Sequence, residues 1–108
     1  MKLRDYLSIP YVLEAQPHEV AEGGWVRRLA YPELGAFSAE GYDVEQVFLE
    51  VERLRYREII ARLKAGDLPP VPRPPLETAD PAWWAEFLGV SDLVEGLLDK
   101  NATELAGQ

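Results

Sequence analysis

Apolar and polar positions along this chain change period several times, and each change predicts an element. Leu3 to Leu7 supply about one helical turn before Pro10 ends it, and residues 11–15 form a β-prone run. Residues 16–24 are polar and loop-like, and Gly23-Gly24 supplies the positive φ that a hairpin connection requires. Trp25-Val26-Arg27-Arg28-Leu29-Ala30 reads as the returning strand. A turn over residues 31–35 leads to a short third strand, residues 36–40, closed by Gly41. Three strands with short connections predict an antiparallel meander. The period then lengthens. Asp43 stands at an N-cap position with Gln46 three residues on, and Val44, Val47, Phe48, Val51 and Leu54 follow the spacing of one helical face. Ile59, Ile60 and Leu63 extend the apolar content, Gly66 stops it, and the resulting helix would span about 30 Å.

Residues 68–75 hold five prolines, which remove amide donors and forbid helix, so they predict an extended connector or edge strand. Beyond them Asp80-Pro81 is a helix start, with Trp84, Phe87 and Leu88 on a shared face and Gly89 as a stop. Ser91-Asp92 opens a second amphipathic segment carrying Leu93, Val94, Leu97 and Leu98. The expected fold class is therefore α+β: a three- to four-stranded, mainly antiparallel sheet covered by one long helix, with a C-terminal helical extension. Residues 1–76 form the domain, and residues 77–108 form an extension that packs on it or on a second subunit.

Composition narrows the function classes. The chain has 108 residues, 47% of them hydrophobic and 28% charged, as expected of one globular domain. Its formal net charge of -8 argues against a general grip on nucleic acid and favours a basic partner. The charge is localised: residues 1–76 carry ten basic and twelve acidic side chains, whereas residues 77–108 carry seven acids and only Lys100. Without cysteine there is no disulfide framework, thiolate nucleophile or Cys-type zinc site, and His18 stands alone. These features predict a cytoplasmic protein with no cofactor and no metal site. The first apolar run, residues 6–13, is too short and too interrupted by Pro10 for a signal peptide or membrane span, so a soluble chain starting at Met1 is expected.

Candidate chemistry is sparse. Arg53, Arg55, Arg57 and Arg62 could meet phosphate, but they point in different directions on a helix and have Glu50, Glu52 and Glu58 as neighbours, which favours a solvated, ion-paired face. Trp83-Trp84 with Phe87 could stack bases or anchor a partner; one lysine among seven acids argues against bases, and packing of Trp84 in a core or subunit interface is favoured. His18 reads as a surface loop residue. No nucleophile elbow, P-loop or dinucleotide fingerprint occurs.

Five pieces of the sequence, in order, resemble the HicB-like antitoxins: Asp5-Tyr6-Leu7-Ser8-Ile9-Pro10-Tyr11, Gly24-Trp25-Val26, the stretch Glu33-Leu34-Gly35-Ala36-Phe37-Ser38-Ala39-Glu40-Gly41, Val44-Glu45-Gln46-Val47, and Gly66-Asp67-Leu68-Pro69-Pro70-Val71-Pro72. The resemblance covers roughly residues 5–75. It implies a partial RNase H-like fold with three antiparallel strands, a helix across them and a short fourth strand after the proline segment. It also implies neutralisation of a small, basic HicA-like toxin, an mRNA interferase, by covering its active surface. The chain departs from the family pattern where Leu-Pro-Gly-Cys becomes Leu34-Gly35-Ala36-Phe37, and where the residues after Gly41 become Tyr42-Asp43. It also departs where many members carry a DNA-binding module: here the segment is acidic and lacks arginine, so direct DNA binding is doubtful.

The sequence thus predicts a binder rather than an enzyme, with Glu33, Glu40, Tyr42 and Trp84 as candidate partner contacts. The alternative is a stand-alone interaction or scaffold protein of the same fold, homo-oligomeric, without toxin or DNA. A residual RNase H-like nuclease would need a carboxylate cluster holding metal, and the first strand supplies only Glu14.

Overall fold

The computed structural model describes residues 1–108. Helix α1 (Leu3–Leu7) opens the chain, followed by strands β1 (Glu14–Glu19), β2 (Trp25–Ala30) and β3 (Ser38–Gly41). The long helix α2 (Val44–Lys64) comes next, and α3 (Pro81–Leu88), α4 (Ser91–Val94) and α5 (Ala102–Leu105) complete the chain. The strands form one antiparallel sheet in the order β1-β2-β3, so the fold is α+β and the meander expected from the short connections is present.

β1 and β2 are joined by residues 20–24, with a three-residue tip closed by the Val20–Gly24 pair. The Gly23 amide donates to Val20 O (2.9 Å), the Val20 amide donates to Gly24 O (2.9 Å), and Gly23 has φ 81°. This is a turn followed by a left-handed residue, and it sets the register Glu19↔Trp25 to Glu14↔Ala30. β1 therefore lies three residues later than its apolar run suggests. Gln16, Pro17, His18 and Glu19, read from sequence as loop, are strand, and His18 pairs with Val26. The physical reason is burial: five of the six β1 residues are exposed, so no apolar alternation marks the strand.

Asp43 caps α2 by accepting from the Glu45 amide at 3.0 Å and the Gln46 amide at 3.4 Å, as its position predicted. The helix packs on β2 and β3. Its close approach depends on Gly41, where a Cβ would stand 3.0 Å from Val47 Cγ2. Farther along α2, Val51, Tyr56, Ile59 and Leu63 are almost fully enclosed. They share one core with Leu3 and Leu7 of α1 and with Ala85, Leu88, Val90, Val94 and Leu105 of the C-terminal segment. The two ends of the chain are joined: the Leu3 amide donates to Lys100 O and the Ala102 amide to Met1 O, with an isolated bridge between Lys2 and Asn101. Residues 77–108 thus contribute to the same core as residues 1–76.

Two expectations are corrected. No fourth strand follows the proline segment. Its prolines supply no ladder donors, and it is held by the Tyr11 hydroxyl donating to Pro70 O (2.7 Å) and the Leu76 amide donating to Ser8 O (2.9 Å). The second C-terminal amphipathic segment is interrupted after Val94, because Glu95 takes an extended conformation and Gly96 a φ of 73°. By contrast, Asp80 caps α3 through the Trp83 amide (3.2 Å) and Gly89 closes it at φ 77°, as predicted. No helix is long and apolar enough to cross a membrane.

Candidate partner-binding surface

The arginines of α2 do not form one solvated face. Arg53 pairs with Glu50 at 3.5 Å and Arg62 with Glu58 at 3.2 Å on partly open surface, as the helical spacing predicted. Arg55 and Glu52 are instead buried, joined by two hydrogen bonds of 2.7 and 2.9 Å, because α1 and α3 close over that side of α2. Arg55 also donates to Leu7 O at 3.0 Å. The Glu52 carboxylate accepts further hydrogen bonds from the Tyr31 hydroxyl and from Trp84 Nε1, the latter at 2.7 Å. Burial alone would raise the Glu52 pKa. The Arg55 guanidinium and the hydroxyl and indole donors outweigh it and hold the carboxylate below its usual range. The Tyr31 hydroxyl is pushed up by burial and by Glu52. No buried side-chain polar atom lacks a partner.

This network fixes an aromatic surface. With its indole tied to Glu52, Trp84 stacks on Phe87 at a centroid separation of 5.3 Å and 7° between planes, and lies 6.2 Å from the Phe48 ring. Trp83 continues the stack toward solvent, 5.7 Å from Phe87. Trp84 is half-buried, while Trp83 and Phe87 are 59% and 58% exposed. Packing and anchoring, weighed as alternatives from the sequence, are thus divided between neighbouring rings.

Phe87 forms one rim of a groove of about 530 Å³ lined by Leu13, Ala15, Leu29, Val44, Glu45, Phe48, Leu49 and Phe87. The groove exists because α2 packs over β2 and β3, leaving the inner face of β1 open. Seven of its eight lining residues are apolar, and Glu45 is the single charge. Val44 is half exposed, an unfavourable placement for a valine unless something covers it.

The four residues singled out from sequence are tied to different elements. Glu33 accepts from Arg73 at 2.9 and 3.2 Å and from the Val12 amide at 2.7 Å, clasping the proline segment, and Arg73 holds its carboxyl below the usual range. Glu40 pairs with Arg28 at 3.0 Å across β2 and β3. Tyr42 follows β3, 72% exposed, with its hydroxyl 3.1 Å from where a Cβ on Gly24 would stand. Trp84 alone belongs to the aromatic surface beside the groove. Phe87, weighed from the sequence with Trp83-Trp84 as a partner anchor, lines the groove, whereas Leu13 and Val44 were missed as contacts because an apolar side chain gives no sequence sign that its side of the fold is left uncovered. No group of three or more His, Asp or Glu side chains is placed to hold a metal ion. Compared with protein-family models, with curated proteins and with solved structures, the chain matches none.

Proposed function

We propose that the chain is a HicB-like antitoxin that binds and masks a small, basic ribonuclease toxin of the HicA type. The observation that carries this reading is an apolar groove with an exposed aromatic rim on a chain of net charge -8. Contiguous apolar surface on a soluble protein marks an interaction site. The acid excess supplies what a cationic partner requires: long-range attraction that speeds encounter and disfavours acidic competitors. The antiparallel sheet with a helix across it agrees with what the sequence resemblance implies, although its fourth strand is missing. Inhibition then needs no chemistry from this chain, only coverage of the toxin's RNA-binding surface.

The same reading gives residues 77–108 no operator contact. Their seven acids face phosphate unfavourably, and Ala85, Leu88, Val90, Val94 and Leu105 are used in the core.

The test is coexpression with a short basic protein encoded in the adjacent reading frame. A complex that survives purification, together with restored growth, is expected. No complex and no rescue would overturn the reading. A homodimer that covers the groove by itself would favour the stand-alone scaffold protein instead.

A further inference from the structure

We infer that the occupant of the groove is an extended strand of a basic protein, added antiparallel or parallel to the open edge of β1, with alternate apolar side chains seated between β1 and α2. The inference rests on the proposed function for the existence of a basic partner, and on the structure for where and how that partner binds.

Hydrogen bonding at the β1 edge favours a strand. The Val20 amide donates to Gly24 O at the hairpin, so by the alternation of an antiparallel ladder His18, Gln16 and Glu14 continue the hydrogen-bonded pairs with β2. Ala15, Pro17 and Glu19 then face away from β2. The Ala15 and Glu19 amides and all three carbonyls are left at the outer edge of the sheet. Pro17 sits where its missing N–H costs the ladder nothing. A docked helix would leave this edge unpaired, whereas a strand supplies matching donors and acceptors.

The shape of the groove favours a strand as well. A strand beside β1 points every second side chain toward the α2 side of the sheet, above Ala15 and against Leu13, Phe48 and Phe87. The Trp84 and Glu52 network holds Phe87 in place before any partner arrives, which lowers the ordering cost of binding.

Charge decides between a second copy and a different protein. Glu45 lines the groove and Glu14 and Glu19 belong to the strand whose edge is open, and none of the three takes part in the chain's ion pairs. Antiparallel pairing of β1 with itself about Pro17 would set two residues without an N–H opposite one another and bring two chains of net charge -8 together. Both features oppose self-association at a strand edge. A strand alternating apolar with Lys or Arg residues meets none of these obstacles.

The experiment uses the full chain and a fluorescein-labelled peptide alternating lysine and valine over about eight residues. The controls are a peptide with the same residues in two blocks and one alternating glutamate and valine. Binding is read by anisotropy, and amide protection by hydrogen exchange. The expected result is saturable binding of the alternating basic peptide only, with new protection at Ala15 and Glu19. Phe87→Asp and Ala15→Pro should each weaken it at least about tenfold. Should Ala15→Pro fail to fold, Phe87→Asp and the protection pattern decide. Equal binding of both basic peptides, untouched by the substitutions, would overturn the inference. So would a dimer whose β1 amides are protected without peptide. A toxin captured with undiminished strength by both variants refutes the strand site while leaving the proposed function standing. Peptide binding without toxin capture does the reverse.

Discussion

Toward its C-terminal end α2 is enclosed: α1, α3, α4 and α5 surround Tyr56, Ile59 and Leu63, and the one buried charge pair there has every donor and acceptor satisfied. Over its first turns the same helix leaves Val44 half exposed and the inner face of β1 uncovered. The molecule is correspondingly elongated, 48 × 26 × 24 Å, with a closed helical end and an open sheet end. One helix of continuous amphipathic character thus serves two purposes. The closed end supplies stability. The open end keeps apolar surface that no other part of the chain covers.

The largest expected effect comes from removing the closed end. Deleting residues 77–108 takes Ala85, Leu88, Val90, Val94 and Leu105 out of the core, and the remainder should show no cooperative thermal unfolding by circular dichroism. Retention of a sharp transition would mean that the sheet and α2 are self-sufficient. Next, Arg55→Ala leaves Glu52 charged and buried without its cation. A loss of about 3–5 kcal/mol, or a fall in Tm of about 15 °C or more, is expected in urea and thermal melts.

Trp84→Phe keeps the ring and removes one hydrogen bond to a carboxylate. It should lower stability by about 1.5–3 kcal/mol and weaken partner binding as well, because Phe87 loses its fixed neighbour. This substitution connects the two ends. An effect on stability with none on binding would separate them.

Acidification acts on the same group. The folded-state pKa of Glu52 is lowered by Arg55 and by the hydroxyl and indole donors, which outweigh the effect of burial, so its contribution is complete above the ordinary glutamate range, about pH 4.3, and is lost as pH falls through the folded value. Glu33 and Asp99, lowered by Arg73 and Arg4, add in the same direction from exposed positions. Melting temperature should therefore decline below about pH 5, and less steeply in Glu52→Gln. The smallest stability effect belongs to the open end: Phe87→Asp should change unfolding free energy by only about 1 kcal/mol while abolishing partner capture.

The contrast also explains what the sequence made legible. Where an element is buried on one side, its residues announce it. The α2 stripe, the Asp43 and Asp80 caps and the Gly66 and Gly89 stops were readable, as was strand β2, with Val26 and Leu29 buried on its opposite faces. β1 was misplaced because it is covered on neither face, so periodicity carried no signal for the segment most available to a partner. The buried Arg55 was misread for a related reason. Spacing of three residues from Glu52 identifies the pair, but only the packing of α1 and α3 determines that it lies inside. At the candidate site Trp84 was visible as an aromatic in an acidic segment. Leu13 and Val44 became visible only when the uncovered side of the sheet was known.

On the proposed function, the open end receives a basic partner through β1 and the groove beside it. Hydrogen exchange on the full chain, alone and in the complex purified after coexpression, tests it most directly. Slowed exchange at Ala15 and Glu19 is expected on complex formation, with little change in α5 and in the core-facing turns of α2. Slowed exchange confined to residues 77–108, with β1 unaffected, would contradict it.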